Sequence, residues 1–262
     1  MKTLEESVVT TMDGSESELF QFLPYMLQDV WELGTSSEAV IGLVRKHARD
    51  HANLSILDLG CGKGAASVKL AKELQCTCLG IDGVGAFIDE AARKAKEFGV
   101  ENLCQFIADD IRVRIKVLPK FDIIILGALG PVFGDYDATL TTLSKCLNQD
   151  GMIIIDDAYI EDKSDYTDSS IRKRSEILQQ IKVAGMRLVD EKIMEEGEIK
   201  AADDYLFENL EKRCRELIEK YPGKRKLFED YIAGQREEND VLETKVICST
   251  ILIRKNRGFI ER

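Results

Sequence analysis

The sequence is poor in histidine, with only His47 and His51, so a histidine-rich metal centre has too few ligands to form. It lacks any run approaching the roughly 20 apolar residues that cross a bilayer. The opening Met1-Lys2-Thr3-Leu4-Glu5-Glu6 has no basic stretch followed by an apolar core of the kind that directs secretion. A cytoplasmic protein with no membrane association is the expectation. Basic residues are outnumbered, 36 Lys and Arg against 47 Asp and Glu, which leaves a formal net charge of −11. A broad polyanion-binding surface needs Lys or Arg at each phosphate, so nucleic acid is not an expected partner. The seven cysteines, an odd number, fit reduced thiols in a core better than a disulfide framework. Cys76-Thr77-Cys78 is too close-set for a C-x-x-C redox or zinc pair.

What is present is an alternation. Short apolar runs bounded by turn residues occur at 54–59, 77–81, 103–107, 121–126 and 152–155, and runs of this kind suit strands buried on both faces. Between them, residues 65–74 place Val68, Leu70, Ala71 and Leu74 at helical spacing, and residues 87–98 repeat the pattern with Ile88, Ala91, Ala92 and Ala95. Two later runs, 186–193 and 245–253, predict further strands. The expectation is an α/β fold, a doubly wound, mostly parallel, seven-stranded Rossmann-like sheet.

The last two runs are separated by about 50 charged, helix-like residues, too many for a hairpin. There Leu206, Leu210, Cys214, Leu217 and Tyr221 keep a spacing near 3.6, Pro222-Gly223 breaks the helix, and Leu227, Phe228, Tyr231 and Ile232 resume it. The predicted organisation is an N-terminal helical cap over 1–50, an α/β domain over 51–194 and 244–262, and a helical insertion over 195–243. The large apolar side chains of 19–27 read equally as a helix covering the sheet edge or as a ligand lid.

Ile56-Leu57-Asp58-Leu59-Gly60-Cys61-Gly62-Lys63-Gly64 falls where the first strand turns into the first helix. Three alternating glycines permit positive φ and a close approach of backbone to ligand. A triphosphate loop of the Gly-x-x-x-x-Gly-Lys-Ser/Thr type is excluded, because Lys63 is followed by Gly64 and position 57 is leucine. A dinucleotide loop is closer: Gly60, Gly62 and Ala65 satisfy G-x-G-x-x-A, and Asp82 lies 18 residues beyond Gly64. Spacing alone leaves an NAD-type cofactor open.

The run from Asp58 to Gly64 resembles the first motif of class I S-adenosylmethionine (SAM) dependent methyltransferases, D/E-x-G-x-G-x-G. Asp58, two residues before the first glycine, separates it from the dinucleotide loop. The resemblance extends through Asp82 and Ala108-Asp109-Asp110 and covers roughly residues 54–155. It implies SAM as cofactor. Gly60, Cys61, Gly62 and Gly64 would lie along the methionine and ribose portions, with Asp58 suiting the ammonium group. Asp82, with Gly83 beside it, would accept the ribose hydroxyls. Asp109 would accept from the adenine amino group, the backbone of Asp110 and Ile111 would address the ring nitrogens, and the Gly127 carbonyl would face the methionine end.

Sulfonium methyl transfer is an in-line displacement, so alignment does much of the work and a base is needed only when the acceptor must lose a proton. Asp157 and Tyr159, at the carboxyl end of the fifth strand, are the candidate bases, although consecutive acids at a strand end also cap helices or sit in solvent. Amino-nucleobase methyltransferases carry Asn/Asp-Pro-Pro-aromatic where this chain has Gly127-Ala128-Leu129-Gly130-Pro131, and no proline precedes a cysteine as cytosine-carbon enzymes require. Metal-dependent catechol-type enzymes need an acid ending the fourth strand, where this chain has Leu126-Gly127, so no metal is expected. A small-molecule methyl acceptor lying under the N-terminal helix and the insertion is the expected partner. A SAM-binding sensor or scaffold without turnover is the alternative, and a weaker one is an NAD-linked oxidoreductase, which would need a hydride-handling acid/base pair for which the sequence offers no convincing Tyr-x-x-x-Lys or His-based set. The insertion and N-terminal helix could close the site or pair two subunits into a homodimer.

Overall fold

The apolar runs become strands because each is β-branched or leucine-rich and has a helix to bury against on either side. The computed structural model describes residues 2–256; Met1 of the expected cap and 257–262 of the expected final sheet segment lie outside the described residues. Among the described residues the strands are β1 (Ser55–Leu59), β2 (Thr77–Asp82), β3 (Cys104–Ala108), β4 (Phe121–Gly127), β5 (Leu147–Tyr159), β6 (Met186–Ile193) and β7 (Ile247–Lys255). The helices are α1 (Leu4–Thr11), α2 (Leu23–Met26), α3 (Ser37–His47), α4 (Ala65–Leu74), α5 (Gly85–Glu97), α6 (Ile111–Arg114), α7 (Tyr136–Leu143), α8 (Arg174–Val183), α9 (Glu196–Lys220) and α10 (Arg225–Thr244). One sheet results, ordered β3-β2-β1-β4-β5-β7-β6, with β7 antiparallel to both neighbours. The order reverses between β1 and β4, which opens a crevice at the carboxyl ends of those strands.

Alternate residues of each strand feed two cores. Leu57, Leu59, Ile124, Leu126, Ile153 and Ile155 pack with Leu140 and Leu143 of α7 and Ile177 and Ile181 of α8. Ile56, Ile123, Ile125 and Ile154 point the other way, onto Val40 and Val44 of α3 and Val68, Leu70 and Ala71 of α4. The helix α3, although within the first 50 residues, is therefore seated on the sheet, and the covering role falls to residues before it.

The fifth strand is much longer than its apolar run of 152–155. Its start passes Gly151, where a Cβ would come within 2.9 Å of the Asp122 carbonyl, and the register against β4 shifts between Phe121 and Ile123. Asp156 is the last residue of β5 to pair with β4, opposite Gly127, and from Asp157 to Tyr159 the strand runs on because β7 supplies the ladder there, pairing Asp157 with Ser249 and Tyr159 with Ile247.

A third core lies above the carboxyl edge. Leu19, Phe22, Leu23, Met26 and Leu27 from the N-terminal segment interlock with Leu210, Cys214, Leu217, Phe228, Tyr231 and Ile232 of α9 and α10. The insertion and the N-terminal segment thus form one cover. No helix among the described residues is long and apolar enough to cross a membrane. Phe228 is fully buried and meets Phe22 edge to face at 5.0 Å between ring centroids. Phe228→Ala is expected to cost about 3–5 kcal/mol. Chemical unfolding followed by far-ultraviolet circular dichroism measures it, and an unchanged midpoint would show that the cover unfolds apart from the sheet.

Candidate functional site

At the end of β1 the chain turns back on three glycines with φ of +68° at Gly60, +51° at Gly62 and +73° at Gly64, a region side chains rarely adopt. The loop is fastened to β2, since Gly60 N and Cys61 N both donate to the Ile81 carbonyl, at 2.8 and 3.1 Å. The glycines serve different ends. A Cβ on Gly64 would lie 2.8 Å from Ala91 Cβ, so this residue lets α4 and α5 approach each other. A Cβ on Gly60 would meet Leu129 Cδ1 at 2.5 Å, which places the loop after β4 directly over the glycine loop.

Two carboxylates sit beneath this loop. Asp58 is 4% exposed and accepts from Ser67 Oγ at 2.7 Å; burial, with Asp82 nearby, pushes its carboxyl up to about 6. Asp82 ends β2, its Oδ2 accepting from Gly62 N at 2.9 Å and its Oδ1 from Val84 N at 2.8 Å, and burial raises it in spite of both bonds. Burial and the two carboxylates drive the Cys61 thiol well above its ordinary range, so it stays protonated. The one basic residue of the loop, Lys63, does not neutralise this pair. Its Nζ donates to the carbonyls of Leu27 and Val30, and burial lowers it to about 8.

Farther along the edge, Asp109 N donates to the Asp82 carbonyl at 3.0 Å, and Asp109 Oδ1 accepts from Asp110 N at 2.8 Å. Asp110 caps α6 through Arg112 N at 2.9 Å, and the Arg112 guanidinium, 2.7 Å away, holds its carboxyl below the usual range. Arg112 also donates to the Lys2 and Thr3 carbonyls. The Asp110 carboxylate is therefore engaged in ordering α6 and α1, not solvated. Ile111 begins α6 and is buried. Beside Asp82, a Cβ on Gly83 would meet Leu4 Cδ1 at 2.9 Å and Val8 Cγ2 at 3.0 Å, so α1 roofs this end of the crevice.

The candidate residues of β4 and β5 separate by face. A Cβ on Gly127 would lie 1.9 Å from Thr35 Oγ1, so glycine is required there by the approach of the N-terminal segment. Asp156, paired with Gly127 in register, accepts from Ser36 N at 3.0 Å and Thr250 Oγ1 at 3.2 Å, and burial raises its carboxyl to about 6. Asp157 points to the opposite face, where Tyr136 Oη donates to it at 3.0 Å and burial raises its carboxyl. Tyr159 shares that face. Its ring lies 5.5 Å from the Arg174 guanidinium, Arg174 pairs with Glu191, and burial raises its phenol.

The structure thus brings Asp58, Gly60, Cys61, Gly62, Asp82 and Gly83 together, runs Asp109 to Ile111 along one side, and sets Asp157 and Tyr159 apart from them. Residues the sequence reading passed over are Trp31, Thr35, Ser36, Lys63 and Leu129. Only Lys63 left a signal, a long charged side chain inside a loop built for close approach.

The sign of the Asp58 contribution follows from its raised pKa. Below the ordinary value near 3.8 the carboxyl is protonated in both states; between there and about 6 only the folded state holds the proton, so stability falls with rising pH, and above about 6 the full cost remains. Asp58→Asn keeps an acceptor for Ser67 and removes the charge. The expected result is a ligand-free protein more stable than wild type at pH 8, by on the order of 1–3 kcal/mol, with no gain at pH 4. Thermal unfolding at both pH values checks it.

Comparison with known proteins agrees with this architecture. Residues 50–217, more than half of the chain, match the family described as a methyltransferase domain. An uncharacterized methyltransferase of Bacillus subtilis, YcgJ, is 29% identical over 119 residues, 45% of this chain and 46% of that protein, so the chain matches about half the length of this curated relative. A SAM-dependent methyltransferase from Geobacter sulfurreducens, solved with S-adenosyl-L-homocysteine, superposes with a TM-score of 0.73 at 16% identity, covering 90% of this chain and 98% of that one. The cyclopropane synthase MmaA2 from Mycobacterium tuberculosis superposes with a TM-score of 0.73 at 12% identity over 97% and 99%. At such identities the structural likeness is one of fold. With the family match across its sheet, glycine loop and acidic edge, the chain belongs to the methyltransferase-domain family.

Proposed function

We propose that this protein transfers a methyl group from SAM to a small-molecule acceptor. The observation that carries the reading is the buried, negative floor of the crevice. Asp58 and Asp82 are buried with no cation beside them among the described residues, and the loop lysine is turned away to backbone carbonyls. A ligand bearing an ammonium and a sulfonium offsets that buried charge, whereas the pyrophosphate of a dinucleotide would be repelled by it. The glycines fit the same ligand through their positive φ at Gly60 and Gly62, which turns the loop back at the end of β1, while the space their missing Cβ atoms leave is taken by Leu129 and Leu33.

SAM, when bound, supplies an electrophilic methyl group on its sulfonium. In this assignment Asp58 and the backbone of Gly60, Cys61 and Gly62 hold the methionine portion, with Gly64 shaping the turn. Asp82 accepts the ribose hydroxyls through the lone pairs its bonds to Gly62 and Val84 leave free, Gly83 keeping the wall thin. Asp109 and the backbone of Asp110 and Ile111 address the adenine, and Gly127 closes the methionine end. The cover of α1, α2, α9 and α10 excludes water and takes the acceptor beneath it, giving the residues before α3 the role of cap, the sheet with α3 that of cofactor domain, and 195–243 that of substrate cover.

When the acceptor must lose a proton, Asp157 is the proposed base, with the Tyr136 hydroxyl as the neighbour that holds its orientation. Tyr159, raised by burial, keeps its proton and acts by position. The net charge of −11 and the missing nucleobase motifs favour a small acceptor over nucleic acid.

Isothermal titration should find binding of SAM and S-adenosylhomocysteine but not NADH, and Asp82→Ala should weaken that binding by roughly 10- to 100-fold, the loss of charge-assisted hydrogen bonds. NADH binding in the absence of both would sink the assignment. Methyl-labelled SAM incubated with a metabolite extract should yield a labelled small molecule, and label transfer to none would leave a binding protein without turnover.

A further inference from the structure

Residues 27–36, between α2 and α3, have no regular secondary structure and cross the carboxyl edge of the sheet with their contacts in strand order. At one end Lys63 Nζ donates to the Leu27 carbonyl and, at 2.5 Å, to the Val30 carbonyl, and Trp31 Nε1 donates back to the Lys63 carbonyl at 2.9 Å. Next, Leu33 Cδ1 lies 3.2 Å from where a Cβ on Gly62 would be. A Cβ on Gly34 would lie 2.8 Å from Ala128 Cβ, and Thr35 rests on Gly127. At the far end Ser36 N donates to Asp156 Oδ2 at 3.0 Å. One strap thus runs from the loop after β1, over the end of β4, to β5, with a buried cation at its first anchor and a buried carboxylate at its last.

The first anchor is unusual in its chemistry. Lys63 is 5% exposed with no carboxylate among its hydrogen-bond partners, so its ammonium is satisfied mainly by strap carbonyls. A buried ammonium without those acceptors is strongly disfavoured, so Lys63 stays inside only while the strap is down. Its backbone lies between Gly62 and Gly64, both at positive φ, so any pull on its side chain is felt by the peptide groups of the glycine loop. The reciprocal bond from Trp31 makes the coupling two-sided.

We propose that Lys63 is a positioning residue for cofactor binding: it clamps the 27–36 strap onto the glycine loop, fixing the loop and shielding it from water. The ligand enters when the strap lifts from this clamp. The identity of that ligand rests on the SAM reading given above; the clamp itself does not.

Trp31 is the chain's only tryptophan, so its emission reports the strap alone. Wild type, Lys63→Met, Lys63→Arg and Trp31→Phe are compared by far-ultraviolet circular dichroism and by calorimetric titration with S-adenosylhomocysteine, and the first three also by tryptophan emission without ligand. Lys63→Met is expected to move the emission maximum to longer wavelength and to raise the Kd at least tenfold, with Lys63→Arg, which keeps a donor, recovering part of both. Trp31→Phe keeps the ring, loses the donor and should raise the Kd two- to fivefold, which tests the clamp even where Lys63→Met fails to fold. An unchanged emission maximum in a folded Lys63→Met overturns the clamp. Wild-type affinity shared by all folded variants overturns the positioning role alone. A wild type that binds no S-adenosylhomocysteine overturns the cofactor reading and the positioning role with it, while the emission shift still judges the clamp.

Discussion

Asp58 carries a carboxylate into an interior where Ser67, through its hydroxyl and its backbone, is what it has to bond to. Asp58 lies on the face of β1 that packs against α3 and α4, and it is held there because Ser67, in the first turn of α4, is positioned by the Gly64 turn to donate to it. With Asp82 at the end of the neighbouring strand, it makes the crevice floor negative where the fold is otherwise apolar. The unfavourable charge is local and the sheet around it is fully packed, so the cost is carried by the surrounding cores, and in the proposed function the cationic ligand would offset it.

The cover depends on that same edge. α1 is tied down through Arg112 to the Lys2 and Thr3 carbonyls, α2 through Lys63, and α9 through Arg213 to Asp29 at 2.6 Å and Tyr25 to Glu216 at 2.6 Å. The apolar interlock of Phe22, Leu23 and Met26 with Leu217 and Phe228 gives the cover its bulk, while the polar ties set where it rests. Contacts of the second kind are few, and all but the buried Lys63 anchor are partly exposed, so they separate more readily than a core does. The cover therefore has a stiff body and a releasable seam.

The sheet was legible in the sequence because strands buried on both faces must be apolar throughout, and helix α4 begins and ends where the spacing of Val68 to Leu74 places it. Strand β5 was not legible at full length: Asp156 and Asp157 look like a loop to any test of hydrophobicity, and pairing with distant residues makes them strand, Asp156 with Gly127 and Thr250 and Asp157 with Ser249. The glycine loop and Asp82 were readable because geometry confines their residue types. Thr35 and Ser36 were not, since Gly127 and Asp156 lie far along the chain and nothing local marks them, and Lys63 showed only as a charged side chain in a glycine loop, its partners Leu27 and Val30 lying more than 30 residues back. The carboxylate of Asp110 caps α6 with Arg112, only two residues on, as its partner, a role separate from the one the resemblance gives its backbone.

The antiparallel strand β7 also dictates the order in which the molecule can be completed. It lies between β5 and β6, yet it is reached only after the roughly 50 residues of the insertion have been made. As the chain emerges during synthesis, β6 has no neighbour to pair with, and the α9–α10 hairpin, whose contacts are close in sequence, can form before the sheet does. Strand β7 supplies the ladder to β5 on one side and β6 on the other, so the sheet is continuous only once that strand is in place.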